Sequence, residues 1–369
     1  MRFCVVGELP EASELLRAVH DSAEHSLSAC AVAGELQQWL IRSQTGIRLV
    51  PTSEEAILSA DVDTVIVAVR DSDDSLRCVR TATLAEKHVV VVPPPNCSPA
   101  YSFELHLILD ESTTAVIPLT HRLGLNRLAW EKADLSLDAQ TTQQLTTDLE
   151  VTDTSAAEVR KAIRMGLDLL HASGFRYSQV TALQAQSPDE RFLSMLITLN
   201  ASAIADSSLP PATLTLKPSQ QSAGPFKIQQ ILANGDRVDF ERTDPAVLPD
   251  RIQWLCQNKQ VASRWMEAFS ATLELADAVE KSLRRKRTVD VHFDSGSERG
   301  VFKSQMTAIG CGVLTFMMFG MVAYLILAQL MDLPTWALHL ARALWIAPLV
   351  IFLLAQALLP LTRSRSSRV

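Results

Sequence analysis

Two long uncharged runs near the end of the chain most constrain what it can fold into. Residues 306–331 contain 26 positions without Asp, Glu, Lys or Arg, and residues 343–361 contain 19 more. A bilayer core of about 30 Å needs about 20 helical residues, so each run predicts a membrane span. The short polar stretch between them makes the pair a hairpin, with spans over 306–331 and 336–361. The chain is therefore expected to be anchored in a membrane.

The remainder reads as a body on the cytoplasmic side. Residues 1–8, Met1-Arg2-Phe3-Cys4-Val5-Val6-Gly7-Glu8, hold only four apolar residues in a row before Gly7 and Glu8, too few for an export segment. Arg299 and Lys303 precede the first run, and Arg363, Arg365 and Arg368 follow the second, whereas Arg342 alone marks the far side. The positive-inside bias then puts both ends of the hairpin in the cytoplasm, with 295–305 as linker and 362–369 as a basic tail. A net charge of −7 argues against general affinity for nucleic acid. The six cysteines form no CxxC pair and no zinc spacing, which fits reduced thiols and no metal site.

Within the body, residues 1–122 alternate short apolar runs with helical patterns. Strands are predicted over 3–6, 27–33, 48–50, 64–69, 88–92 and 114–118. Several are near-continuous Val, Ile and Ala, as strands buried on both faces should be. Leu15, Leu16 and Val19 share a helical face. Thr52-Ser53-Glu54-Glu55 is a capping box, and the acids of 71–74 suit the start of a helix. This alternation implies an α/β fold with a doubly wound parallel sheet. Over 123–294 the order changes. A helix over 158–171 comes first, then strands cluster at 177–186, 192–200, 213–217, 226–232 and 237–241, with Asn234-Gly235 marking a tight hairpin. A long helix over 263–283 and a last strand over 288–293 complete an α+β domain with a mostly antiparallel, open sheet.

The stretches Val62-Asp63-Thr64-Val65-Ile66-Val67-Ala68, Ala85-Glu86-Lys87-His88-Val89-Val90-Val91, Gly166-Leu167-Asp168-Leu169-Leu170 with Gly174, and Leu273-Glu274-Leu275-Ala276-Asp277-Ala278-Val279 occur in an order that resembles the Gfo/Idh/MocA oxidoreductases. The resemblance covers about residues 1–294 and leaves the hairpin out. It implies a Rossmann domain followed by an α/β domain whose open sheet mediates oligomer contacts, so a homo-oligomer is expected. It also implies NAD or NADP as cofactor and a sugar or related alcohol as substrate.

The residues at the expected reaction centre depart from that pattern. A dinucleotide turn needs glycines after the first strand. Here it reads Gly7-Glu8-Leu9-Pro10-Glu11-Ala12: Gly7 and Ala12 fit, but Leu9 puts a side chain toward the diphosphate, Pro10 lacks an amide, and Glu8 and Glu11 add negative charge. Glu35 stands one place late for a ribose acid and is more simply a first-turn helix acid. Pro93 occupies the place of the family's lysine, beside Pro94 at the family's proline, which is often in a cis bond. Met165 occupies the place of its histidine. Cofactor contacts, if any, would fall on Gly7, Ala12, Asp71 and Pro94. Residual acid–base candidates are Asp168, His171 and His121. The simpler expectation for Asp168 is a solvated helix face shared with Arg164, Lys161 and His171, and for His121 a loop pair with Arg122. Four losses at one cleft argue against hydride transfer and for no bound cofactor. The expected function is a membrane-anchored, catalytically degenerate binding, scaffolding or sensing module. The alternative is an active NAD(P)-dependent oxidoreductase with a rebuilt cleft.

One run lies outside the resemblance's chemistry. Arg284, Arg285, Lys286 and Arg287 close the long helix. They serve either as dipole-favoured cations at a helix end or as a contact for anionic lipid.

Overall fold

The computed structural model describes residues 1–43, 47–125, 142–171, 177–187, 192–200, 209–219, 227–240 and 244–291, with Thr315 and 318–320 near the end. The chain divides into two compact units, Met1–Gly296 and Ser297–Val369. The described residues of the second unit are helical. The predicted spans, linker and tail otherwise lie outside the described residues. Among those described, no helix is long and apolar enough to cross a membrane.

The first unit begins with alternating strands and helices: β1 (Arg2–Gly7), α1 (Ser13–Asp21), β2 (Ser26–Val32), α2 (Gly34–Arg42), β3 (Arg48–Leu49), α3 (Ser53–Ile57), β4 (Thr64–Ala68), α4 (Ser72–Leu84), β5 (His88–Val91), α5 (Pro99–Glu111) and β6 (Val116–Pro118). The strands pair in parallel in the order β3-β2-β1-β4-β5-β6. This is the doubly wound arrangement predicted, with each strand within two residues of its expected limits. All five residues of β4 are buried, as a Val/Ile run between two helical layers requires. Two predicted helix starts are present: Thr52 Oγ1 accepts from the Glu55 amide at 3.2 Å, and Asp71 caps α4 by accepting from the amides of Asp73 and Asp74. Glu35 is an exposed first-turn acid of α2. At the end of β1, Gly7 has φ +114°, and a Cβ there would lie 2.2 Å from the Ala68 carbonyl oxygen. Only glycine lets β1 turn this tightly against β4.

The second half contains β7 (Thr142–Val151), α6 (Ala156–His171), β8 (Gln179–Gln186), β9 (Phe192–Asn200), β10 (Ala212–Pro218), β11 (Lys227–Leu232), β12 (Arg237–Phe240), α7 (Leu248–Gln257), α8 (Lys259–Arg285) and β13 (Val289–Asp290). Its sheet has the order β12-β11-β7-β10-β9-β8-β13. The β7–β10 pair is parallel and the other pairs antiparallel. Gly235, at φ +85°, makes the expected hairpin turn. α6 and α8 pack on one face. Gly166 lets α6 approach the sheet, because a Cβ there would come 2.5 Å from a Leu214 methyl. The opposite face is open and brings Leu183 beside Leu196, both exposed.

Three buried clusters form the core, and α8 contributes to all of them. Leu275, Ala278 and Val279 enter the core of the second sheet. Ala262 and Trp265 enter one side of the first sheet, and Met266, Phe269 and Leu273 the other. α7 also packs on the first sheet through Ile252 and Leu255. The two sheets therefore interleave, with late chain segments completing the first one.

Candidate functional site

The turn after β1 is closed on itself. The Glu8 and Leu9 amides both donate to the Ala68 carbonyl, at 2.8 and 2.9 Å. Pro10 has no amide. The Ala12 amide donates to the Leu9 carbonyl at 3.2 Å. A diphosphate bound at such a turn needs backbone N–H groups directed at it, and the amides of Glu8, Leu9 and Ala12 already have internal acceptors. Leu9 is 2% exposed and belongs to the first sheet's core. It packs into that core and also lines the cavity beyond the turn.

Acids of this turn meet cations across the cleft. Glu11 is bonded to Lys161 of α6 at 2.6 Å, and Glu8 lies 3.7 Å from Arg70. Burial pushes the Glu11 carboxyl up, but the Lys161 bond and Glu11's own amide outweigh it, and its pKa is lowered. Glu11 is thus the anion at the mouth of the site, joining the first sheet to α6.

Beyond the turn lies a cavity of about 420 Å³. Pro93, Met165, Asp168 and His121 all line it. The first two can neither donate nor accept a proton, whereas general acid–base chemistry needs a titratable group within reach of the moving proton. Arg164 crosses to the triple-proline turn and donates to the Pro94 and Pro95 carbonyls at 3.3 and 2.6 Å and to Cys97 Sγ at 2.9 Å. Burial pushes the Cys97 thiol up against this contact, so it is no ready thiolate nucleophile.

Asp168 corrects a sequence expectation. It is not on a solvated face with Arg164, Lys161 and His171. Its side chain is 5% exposed and bonds Arg122, whose Nε lies 3.1 Å from Oδ1 and whose amide donates to Oδ2 at 3.0 Å. The Arg122 guanidinium also donates to the Trp265 carbonyl at 3.1 Å and stacks over the Trp265 ring at 4.4 Å. Trp265 Nε1 donates in turn to the Pro118 carbonyl at 3.3 Å. Burial drives the Arg122 pKa down, with the Asp168 charge opposing. The apolar spacing of α6 suggested an ordinary amphipathic helix, and nothing in the sequence linked residue 168 to 122 and 265.

The other candidates scatter. His121 and Arg122 open a short 3-10 turn, His121–Gly124, rather than a loop pair; His121 is exposed at the cavity and Arg122 is buried. His171 is buried at the end of α6, away from the cavity lining. Ala12 is buried in the core, and Asp71 holds the α4 amides. Pro94 is buried and, like every described residue, follows a trans peptide bond, in contrast to the cis bond the resemblance suggested.

No known family profile and no curated protein matches this sequence. Solved structures do match in fold. A putative myo-inositol dehydrogenase from Sinorhizobium meliloti 1021 is 15% identical at a TM-score of 0.62, over 79% of this chain and all of that one. A probable dehydrogenase from Thermotoga maritima is 15% identical at 0.60, over 79% and 98%. GenD2 from gentamicin A biosynthesis, in complex with NAD, is 12% identical at 0.61, over 79% and 97%. The body has the fold of NAD(P)-dependent oxidoreductases of the Gfo/Idh/MocA type. The residues at its turn do not fit a dinucleotide diphosphate, because the amides of Glu8, Leu9 and Ala12 are closed onto Ala68 and Leu9.

The Arg122–Asp168 pair allows a direct test. Removing one partner leaves the other buried and uncompensated, so Asp168→Ala or Arg122→Ala is expected to lose about 3–5 kcal/mol of stability. Arg122→Met with Asp168→Leu should recover most of it. Thermal unfolding of the full chain in detergent reads the difference; a double variant no better than the worse single one would show that the two groups do not act as a unit.

Proposed function

We propose that this chain is a two-pass membrane protein whose cytoplasmic body keeps the Gfo/Idh/MocA-type fold as a binding, scaffolding or sensing module and does not transfer hydride. The observation that carries this reading is the self-closed turn, in which the amides of residues 8, 9 and 12 are bonded within the protein and residue 10 has none. Pro93 and Met165 at the cavity wall support it. The membrane part rests on the two uncharged runs and on the placing of their flanking arginines.

A second reading is an active NAD- or NADP-dependent oxidoreductase on a sugar or related alcohol. The persistence of a cavity of about 420 Å³ with Asp168 and His121 on its wall favours it. Titrating the full chain with NADH and NADPH separates the two. The first reading expects no change in nucleotide fluorescence and no thermal shift at millimolar nucleotide; saturable binding would replace it with the second. Reporter fusions at each end test the topology. Both are expected to be active only in the cytoplasm, and an exported C-terminal reporter would defeat the hairpin.

A further inference from the structure

The basic run at the end of α8 has a geometry that neither the fold nor the cleft uses. Arg284 and Arg285 form its last turn, Lys286 is its C-cap, and Arg287 follows. All four are exposed. Among the described residues none makes an ion pair, although neighbouring Lys281 is bonded to Asp277 one turn back. Four adjacent cations thus remain uncompensated on a chain of net charge −7.

A helix-dipole role accounts for two of them only. Cations favour a helix C-terminus within the last turn, and Arg284 and Arg285 satisfy that. Lys286 adopts φ 50°, ψ 40°, the left-handed region where glycine or asparagine usually ends a helix. A lysine there costs backbone strain that glycine would avoid. Arg287 lies beyond the helix, its backbone carbonyl accepting from Ser282 Oγ at 2.7 Å. The turn is therefore fixed in shape while its side chains point to solvent.

We propose that residues 284–287 form an electrostatic contact for the anionic headgroups of the membrane holding this chain's own apolar hairpin. The inference rests on the anchoring reading above. β13 and Val291 are bonded into the second sheet, so 14 residues, 292–305, join this part of the chain to the first apolar run, a fully extended reach of at most about 50 Å. That stretch mixes Asp294 and Glu298 with Arg299 and Lys303, so it carries no run of positive charge like the one on the turn. Each cation near an anionic leaflet raises its local partition roughly fivefold, and a fixed turn presents all four together.

The test uses the full chain in nanodiscs of phosphatidylcholine, with and without phosphatidylserine, and follows hydrogen exchange across residues 281–291. Slower exchange only in the serine-containing discs, reversed by high salt, supports the contact. Failure to incorporate into phosphatidylcholine discs would defeat the anchor itself. Incorporation with identical exchange in both discs would overturn only the contact. Protection in phosphatidylcholine discs on adding a single-stranded oligonucleotide, with none from phosphatidylserine, would assign the turn to nucleic acid and overturn the proposal. Lys286→Gly with Arg287→Gln gives a control that folds: it removes two charges and relieves the left-handed lysine. Weakened lipid-dependent protection with unchanged or improved thermal stability supports the contact, whereas full protection in this variant overturns it.

Discussion

Arg122 grips Asp168 from both its amide and its guanidinium, and the same guanidinium stacks on Trp265 and donates to that residue's carbonyl. Three segments far apart in the chain meet at this point: the turn after β6, helix α6 and helix α8. A buried pair of this kind stabilises only when both charges and their remaining hydrogen-bonding positions are satisfied. Here the ring face, a carbonyl and a backbone amide meet that condition in part, while Arg122 Nε and Asp168 Oδ1 face each other at 3.1 Å as an ion pair without a hydrogen bond. The placement of α6 against the first sheet, and hence the walls of the cavity, follows from it.

The same contact explains how the cleft can persist without acid–base machinery. Asp168 is oriented and neutralised by Arg122, so it is a structural anion facing a cavity. Arg164 stiffens the proline turn opposite, and Glu11 binds Lys161 across the entrance. Groups that would otherwise be available to a substrate are engaged in holding the cavity open. Its shape is kept by charges that compensate one another.

Much of the first sheet was legible from sequence, because strands buried on both faces write themselves as unbroken Val and Ile runs, as in β4 and β5. One interior strand of the second sheet, β7, was not. β7 reads Thr-Gln-Gln-Leu-Thr-Thr-Asp-Leu-Glu-Val, and one of its inward positions, Thr147, is polar, which hides the alternation of Leu145, Leu149 and Val151. Helices α5 and α7 also went unread. In the cleft, the missing proton donors at Pro93 and Met165 were visible as residue types. The burial of Asp168 was not, since its partner Arg122 lies 46 residues upstream and that residue's own partner Trp265 lies 97 residues downstream of Asp168, and an i,i+4 neighbour offered a simpler pairing. Leu9 shows a related limit: its residue type did not reveal that it is both part of the core and part of the cavity wall.

Helix α8 runs 27 residues, about 40 Å, and places side chains in all three buried clusters. Fraying it would expose apolar surface under both sheets at once. Such a spine ties the melting of one half to that of the other, so the described body is built to come apart as a single cooperative unit rather than by peeling off a lobe.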